Sequence, residues 1–136
     1  LADLATKQAS DNGQIRTLLG RKCRFHLWEP VTFGVGKPLP HDEAQKEYGK
    51  QIRRAFTYKA LNRLIQGSAA DQTKKAMLDC YNEGLIPMLT VHDELCFNIE
   101  NDEQIGRIKE IMETGVPLKV PSKIDVDIKP DWGEVE

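Results

Sequence analysis

The stretch Met88-Leu89-Thr90-Val91-His92-Asp93-Glu94-Leu95-Cys96-Phe97-Asn98-Ile99 sets two apolar runs against each other across three consecutive polar, titratable residues. Leu95, Phe97 and Ile99 alternate with Glu94, Cys96 and Asn98, the period-two pattern of a half-buried strand, and Met88 to Val91 is a matching apolar run. Only His92 and Asp93 need lie between the strands. A two-residue hairpin asks for positive φ, which Asn, Asp and His tolerate better than most non-glycine residues. The pattern predicts a tight β-hairpin with Asp93 at an open tip. An ordinary polar turn would have the same composition, but an Asp-Glu pair brings two negative charges together at a cost unless a cation or a basic partner offsets it. The pair is therefore a candidate metal site.

The rest of the chain bounds what that hairpin can belong to. Its 136 residues, 40% of them hydrophobic, fit one modest domain. The apolar runs are a few residues long, far below the roughly 20 of a spanning helix, and nothing resembles a signal peptide, so a soluble, cytoplasmic protein is expected. Cys23, Cys80 and Cys96 are odd in number and widely spaced, which indicates neither a disulfide framework nor a zinc site. The net charge of −2 conceals a division: residues 1–75 carry 14 Lys and Arg against 7 Asp and Glu, and residues 76–136 carry 5 against 14. A basic half could bind a polyanion and an acidic half a metal, although two solvated faces give the same balance.

The chain opens at Leu1-Ala2-Asp3-Leu4-Ala5 already in helical spacing, as a piece of something longer would, and Asn12-Gly13 predicts the end of that helix. Gln14 to Phe25 has β character around Leu18-Leu19-Gly20, followed by the basic cluster Arg21, Lys22 and Arg24, a candidate phosphate contact or a plain basic turn. Residues 28–41 hold Trp28, Pro30, Gly34, Gly36, Pro38 and Pro40 and read as a flexible loop without regular structure. Asp42 with Gln45 predicts a capped helix start, and helix to about Glu83, broken near Tyr58 to Asn62, with Gly84 as the C-terminal glycine. Leu61, Leu64, Ile65, Ser68, Ala69, Thr73, Ala76, Met77 and Cys80 form its predicted buried stripe. Asn62 and Gln66 stack on another side, beside Gly67 to Ala70, where uncharged amides and small residues suit the sugar and base edges of a nucleic acid or simply tight helix packing. Asn101 and Gln104 predict a second capping box, Ile105 to Met112 an amphipathic helix ending at Gly115, and Lys123 to Lys129 an alternating strand, with a closing turn at Pro130-Asp131-Trp132-Gly133. The expected class is α+β, a few antiparallel strands backed by helices.

Several of these segments together resemble the carboxy-terminal part of family A DNA polymerases, the bacterial polymerase I and phage type. They are Asn62-x-x-x-Gln66-Gly67-Ser68-Ala69-Ala70-Asp71, Val91-His92-Asp93-Glu94-Leu95, Thr17-Leu18-Leu19-Gly20-Arg21-Lys22, and Val116-Pro117-Leu118 with Asp131-Trp132, in the family's order and spacing. The resemblance implies that residues 1–136 are palm, an antiparallel sheet with a motif C hairpin backed by helices, and that the family's motif A and fingers are absent from them. It implies template-directed nucleotidyl transfer by a two-metal mechanism, with Mg²⁺, primer–template DNA and deoxynucleoside triphosphates as its cofactor and substrates. On the matching positions, Asp93 is the metal ligand and Glu94 a supporting catalytic carboxylate, His92 touches the primer terminus, and Asn62 and Gln66 meet the minor groove. Arg21 and Lys22 complete the candidate DNA contacts. Tyr58 stands where the family often has Arg, so no phosphate contact is carried to it.

One metal-binding aspartate cannot hold two ions, so the resemblance leads to the expectation of a fragment or split subunit, inactive until an upstream part supplies motif A and the fingers, and prone to self-association alone. A non-catalytic subunit that binds or assembles on primed DNA is the alternative. A stand-alone metal-dependent hydrolase built on Asp93 and Glu94 is a third reading, against which stands the lack of another ligand cluster in the sequence.

Overall fold

The computed structural model describes residues 1–32 and 34–131. The chain divides into two units, Leu1–Asp71 and Gln72–Glu136, and is α+β, with helices set beside short antiparallel sheets.

In the first unit, helix α1 (Ala2–Asn12) ends at Gly13, which turns left-handed at φ 67° and donates its N–H to the Ala9 carbonyl, the stop that Asn12-Gly13 predicts. The buried small residues Ala5 and Ala9 pack with Ile15, Phe25 and Ala60 in a core bordered by Cys23, Phe56 and Leu64. Strands β1 (Gln14–Arg16) and β2 (Lys22–Arg24) form a hairpin with Gln14 opposite Arg24, Ile15 opposite Cys23 and Arg16 opposite Lys22. Its inward face supplies Ile15, while Arg16, Lys22 and Arg24 on the other face are exposed and Gln14 is half-buried.

Residues 28–41 are not wholly irregular. Strand β3 (Leu27–Pro30) pairs with both β4 (Leu39–Pro40) and β5 (Ile52–Arg54). The prolines fit because β4 is an edge strand and Pro30 has a partner, Ile52, on one side only, so no ladder donor is missing. Trp28 fixes the strand: the Arg54 guanidinium lies 4.6 Å from its ring and His41 packs edge-on at 4.9 Å. Helix α2 (His41–Tyr48) begins after Pro40 with no side-chain cap, so the Asp42–Gln45 box does not form. Proline, with φ already preset, begins this helix instead. The helical break falls at Gly49 to Lys59, through β5 and a 3₁₀ turn at Thr57–Lys59, earlier than the predicted Tyr58 to Asn62.

Helix α3 (Ala60–Asn82) runs through both units. Its buried positions are Ala60, Asp71, Ala76 and Cys80, whereas Ile65 and Ala69 of the predicted stripe are exposed. In the first unit the apolar core meets this helix at Ala60 and Leu64, and further along a polar turn packs on it at Gly67, Ser68 and Asp71, which answer it with hydrogen-bonding partners.

In the second unit, Gly84 ends α3 at φ 79° as predicted, its N–H on the Tyr81 carbonyl and that of Leu85 on Cys80. Strands β6 (Pro87–Val91) and β7 (Glu94–Phe97) form the second hairpin. Helix α4 (Asp102–Thr114) is capped by Asn101, whose side chain accepts from the Gln104 N–H, and Gln104 accepts in turn from the Glu100 N–H at 2.8 Å. Cys80, Ile108 and Ile111, with Leu85, Phe97 and Met112, make this unit's core. Burial, helped by the nearby charges of Glu83 and Asp79, pushes the Cys80 thiol up, as suits an inert core cysteine.

The predicted strand over Lys123 to Lys129 does not form. Residues 121–129 carry no regular structure, and Val126 and Ile128 are exposed. Side chains hold the segment instead: Glu113 accepts from Lys123 and from the Ile124 N–H, and Gln72 donates to Ser122. Alternation gives a strand its two faces but not a neighbour to pair with. The predicted closing turn reaches Trp132 and Gly133, which lie outside the described residues. No helix among the described residues is long and apolar enough to cross a membrane.

Candidate functional site

Val91 pairs directly with Glu94, which leaves His92 and Asp93 as the two residues of the second hairpin's turn. His92 takes positive φ, 55°, and Asp93 does not. A residue held left-handed without being glycine marks a position where the surrounding ladder outweighs local preference. His92, Asp93 and Glu94 are all exposed. The apolar flanks are less buried than their alternation implies. Leu95, Cys96 and Phe97 are half-buried, but Met88, Leu89, Val91 and Ile99 are exposed, and a register irregularity interrupts the ladder between Pro87 and Leu89. Asp93 thus stands at the end of a short ribbon with hard oxygen donors of two consecutive residues open to solvent. Among the described residues no group of three or more His, Cys, Asp or Glu could hold a metal ion. Asp93 and Glu94 by themselves are too few ligands to enclose a divalent cation.

In the first unit the polar groups of the other motifs gather on a different residue, Asp71. Asp71, 6% exposed, accepts a hydrogen bond from the Thr17 hydroxyl and one of 2.8 Å from Arg21 Nε. Burial works against its charge, but the Thr17 hydroxyl, the Arg21 guanidinium and the Leu19 N–H outweigh that and hold the Asp71 carboxyl below its usual range. Arg21 Nη2 also donates to the Gly67 carbonyl at 2.8 Å, and the Leu18 N–H donates to Ser68 Oγ at 3.0 Å. Gly67 is required by contact: a Cβ there would sit 2.7 Å from Thr17 Cγ2. The turn itself closes through the Gly20 N–H on the Thr17 carbonyl, with Gly20 at φ 85°.

These facts sort the candidate DNA contacts. Asn62 and Gln66 are exposed on α3, with Ala69 and Ala70 exposed beside them, while Gly67 and Ser68 receive the 17–21 turn, so tight packing explains those two. Arg21 is engaged with Asp71 and Gly67, and its neighbour Lys22 is exposed on the other face of β2. Sequence reasoning passed over Asp71, Thr17 and Ser68 as a unit, because a local pattern gives no sign of a partner some fifty residues away.

Comparison with known proteins agrees over almost the whole chain. The pattern that defines DNA polymerase family A matches residues 2–134. A DNA-directed DNA polymerase of Pseudomonas phage M6 is 40% identical over 133 residues, covering 98% of this chain and 17% of that protein. The thermostable DNA polymerase I of Thermus aquaticus is 37% identical over 107 residues, covering 74% of this chain and 12% of its own length. DNA polymerase I of Mycobacterium leprae is 32% identical over 137 residues, with 93% and 13% covered. The chain therefore spans 17% or less of the length of these relatives. With the defining pattern met from residue 2 to residue 134 and the motifs of both hairpins and α3 in place, the chain belongs to DNA polymerase family A.

Proposed function

We propose that this chain supplies part of the catalytic centre of a DNA-directed DNA polymerase, with Asp93 as its metal-binding carboxylate. The observation that carries the reading is Asp93 exposed at the apex of a two-residue turn, beside Glu94, in a chain of this family. The donor set fits Mg²⁺, a hard cation that takes one or two carboxylates together with substrate phosphates. When bound, Mg²⁺ supplies charge neutralisation at the attacking and leaving oxygens of nucleotidyl transfer. The chain's own residues position the reactants. The paired ends of β6 and β7 fix the Asp93 backbone, Glu94 adds negative charge on the same tip, and His92 lies next to Asp93, where it can contact the primer end. Asn62 and Gln66 offer uncharged donors and acceptors to the minor groove, where readout is nearly blind to sequence. Because Asp93 and Glu94 make an incomplete ligand set, the remaining carboxylate comes from polypeptide outside residues 1–136, and the chain alone does not polymerise.

Primer extension tests this. The chain is assayed with a primed DNA template, Mg²⁺ and four deoxynucleoside triphosphates, alone and with a polypeptide carrying the remaining family A segments. The reading predicts extension in the mixture only, abolished by Asp93→Ala. Extension that survives this substitution refutes it.

A further inference from the structure

Within the first unit, helix α3 has a gripped side and a bare side. On the gripped side the turn 17–21 meets Gly67, Ser68 and Asp71. Arg21 donates to Asp71 and to the Gly67 carbonyl, the Thr17 hydroxyl donates to Asp71, and the Leu18 N–H donates to Ser68 Oγ. On the bare side Asn62, Ile65, Gln66, Ala69 and Ala70 are exposed. Asp71 follows Asn62 by about two and a half helical turns, so the two side chains leave the helix on opposite sides. Apolar burial on the gripped side is slight. It consists of Ala60 and Leu64 against the core of the first unit, and apolar contact has no preferred direction. Hydrogen bonds do have one. Turning α3 by about 20° would carry an atom roughly 6 Å from its axis through about 2 Å, which takes these contacts out of reach. Asp71 is the acceptor on which most of them depend: it is buried, and both carboxylate oxygens are used, Oδ2 by Thr17 and Oδ1 by Arg21. Stability alone asks for less. An apolar side chain here would avoid the desolvation of a carboxylate, whereas a polar pair in a packed region selects one arrangement among several.

We propose that Asp71 is a positioning residue for the polymerase site: through Thr17 and Arg21 it fixes the rotation of α3 about its own axis, and so sets Asn62 and Gln66 toward the end of the primer–template duplex. The proposal deepens the polymerase reading and rests on it for the substrate. Asp71 itself touches no substrate. It acts through the backbone of α3 on two amides of the bare side, and a shape-sensing contact at the last base pair is where a rotated helix would tell.

The test is primer extension by the chain together with a polypeptide carrying the remaining family A segments. For each variant, kcat/KM for the next nucleotide is measured on a primer with a matched 3′ end and on one with a mismatched end. Their ratio is internal to each sample, so it does not move with the amount of folded protein. Asp71→Leu is expected to lower the preference for the matched end by about tenfold or more, the scale on which a displacement of less than about 1 Å is felt. Ser68→Ala, which removes only the acceptor of the Leu18 N–H, is expected to lower it by a smaller factor, and decides the matter if circular dichroism shows Asp71→Leu unfolded. Ile108→Ala, a core truncation in the second unit that costs stability, is expected to keep the wild-type ratio. In a chain already carrying Asn62→Ala and Gln66→Ala, Asp71→Leu is expected to lower the ratio no further. A wild-type ratio in the folded anchor variants overturns the proposal. So does an equal loss in Ile108→Ala, or an undiminished effect of Asp71→Leu once the two amides are gone. These outcomes separate from those of the catalytic reading. Extension that survives Asp93→Ala removes the metal role and leaves the ratio to decide on Asp71, whereas Asp93-dependent extension with an unchanged ratio removes the positioning role alone. A mixture that extends no primer removes both.

Discussion

In the hairpin β1–β2 the turn is closed down on helix α3, with the Thr17 hydroxyl and Arg21 guanidinium on buried Asp71 and Gly67 fitted under Thr17. In the hairpin β6–β7 the turn carries His92, Asp93 and Glu94 into solvent, and much of the strand that leads to it is exposed too. Both are short antiparallel ribbons with a motif at the turn. The first satisfies the polar groups of its turn, Thr17, Leu18 and Arg21, within its own unit, which is what a structural motif does. The second leaves two carboxylates without a cation partner among the described ion pairs and holds His92 left-handed.

Breaking the first hairpin's anchor gives the largest expected effect on stability. Asp71→Ala removes the acceptor shared by Thr17 and Arg21 and should destabilise the chain by about 2–3 kcal/mol, read from the urea midpoint. The figure stays in that range because Arg21 is half-exposed and water can take over its charge. The anchor also predicts a pH dependence. A carboxyl held below its unfolded value of 3.8 contributes stability that is fully present above that value and is lost as pH falls through the lower folded value. The stability difference between the wild type and Asp71→Asn should therefore be constant from neutral pH down to about pH 5 and should shrink below about pH 4.

Two glycine substitutions sharpen the contrast between packed and open positions. Gly67→Ala meets Thr17 Cγ2 and should cost roughly 1–2 kcal/mol, overpacking less the gain in helix propensity. Adding Thr17→Ser, which keeps the hydroxyl and removes the methyl, should recover most of it. Gly106→Ala on α4 meets nothing within 4 Å and should stabilise by about 1 kcal/mol. The smallest effect belongs to the second turn. His92→Gly relieves a left-handed residue but loosens the unfolded chain, so stability should change by less than about 1 kcal/mol. A large loss on that substitution would mean that the His92 side chain anchors the turn as Thr17 anchors the other.

What was legible in the sequence was local. The two-residue turn at His92-Asp93, the glycine stops at Gly13 and Gly84 and the Asn101 cap each depend on a few neighbouring residues, and each lies where the pattern places it. What was hidden depended on partners. Asp71 looks like one more polar residue on a long helix until Thr17 and Arg21 are brought to it. Leu27–Pro30 looks like loop until β5 pairs with it. Lys123 to Lys129 looks like strand but has no neighbour that makes it one. The basic cluster at Arg21 to Arg24 is visible as charge, but only register divides it into an anchored arginine and an exposed face.

The central claim, that the open tip of the second hairpin is catalytic, is tested most directly by primer extension with the chain completed by the remaining family A segments, wild type against Asp93→Ala. A carboxylate worth several kcal/mol of charge stabilisation in the transition state predicts a loss on the order of 10³-fold or more, with the variant folded. Extension within about tenfold of wild type would contradict the account and leave Asp93 as a solvated turn residue.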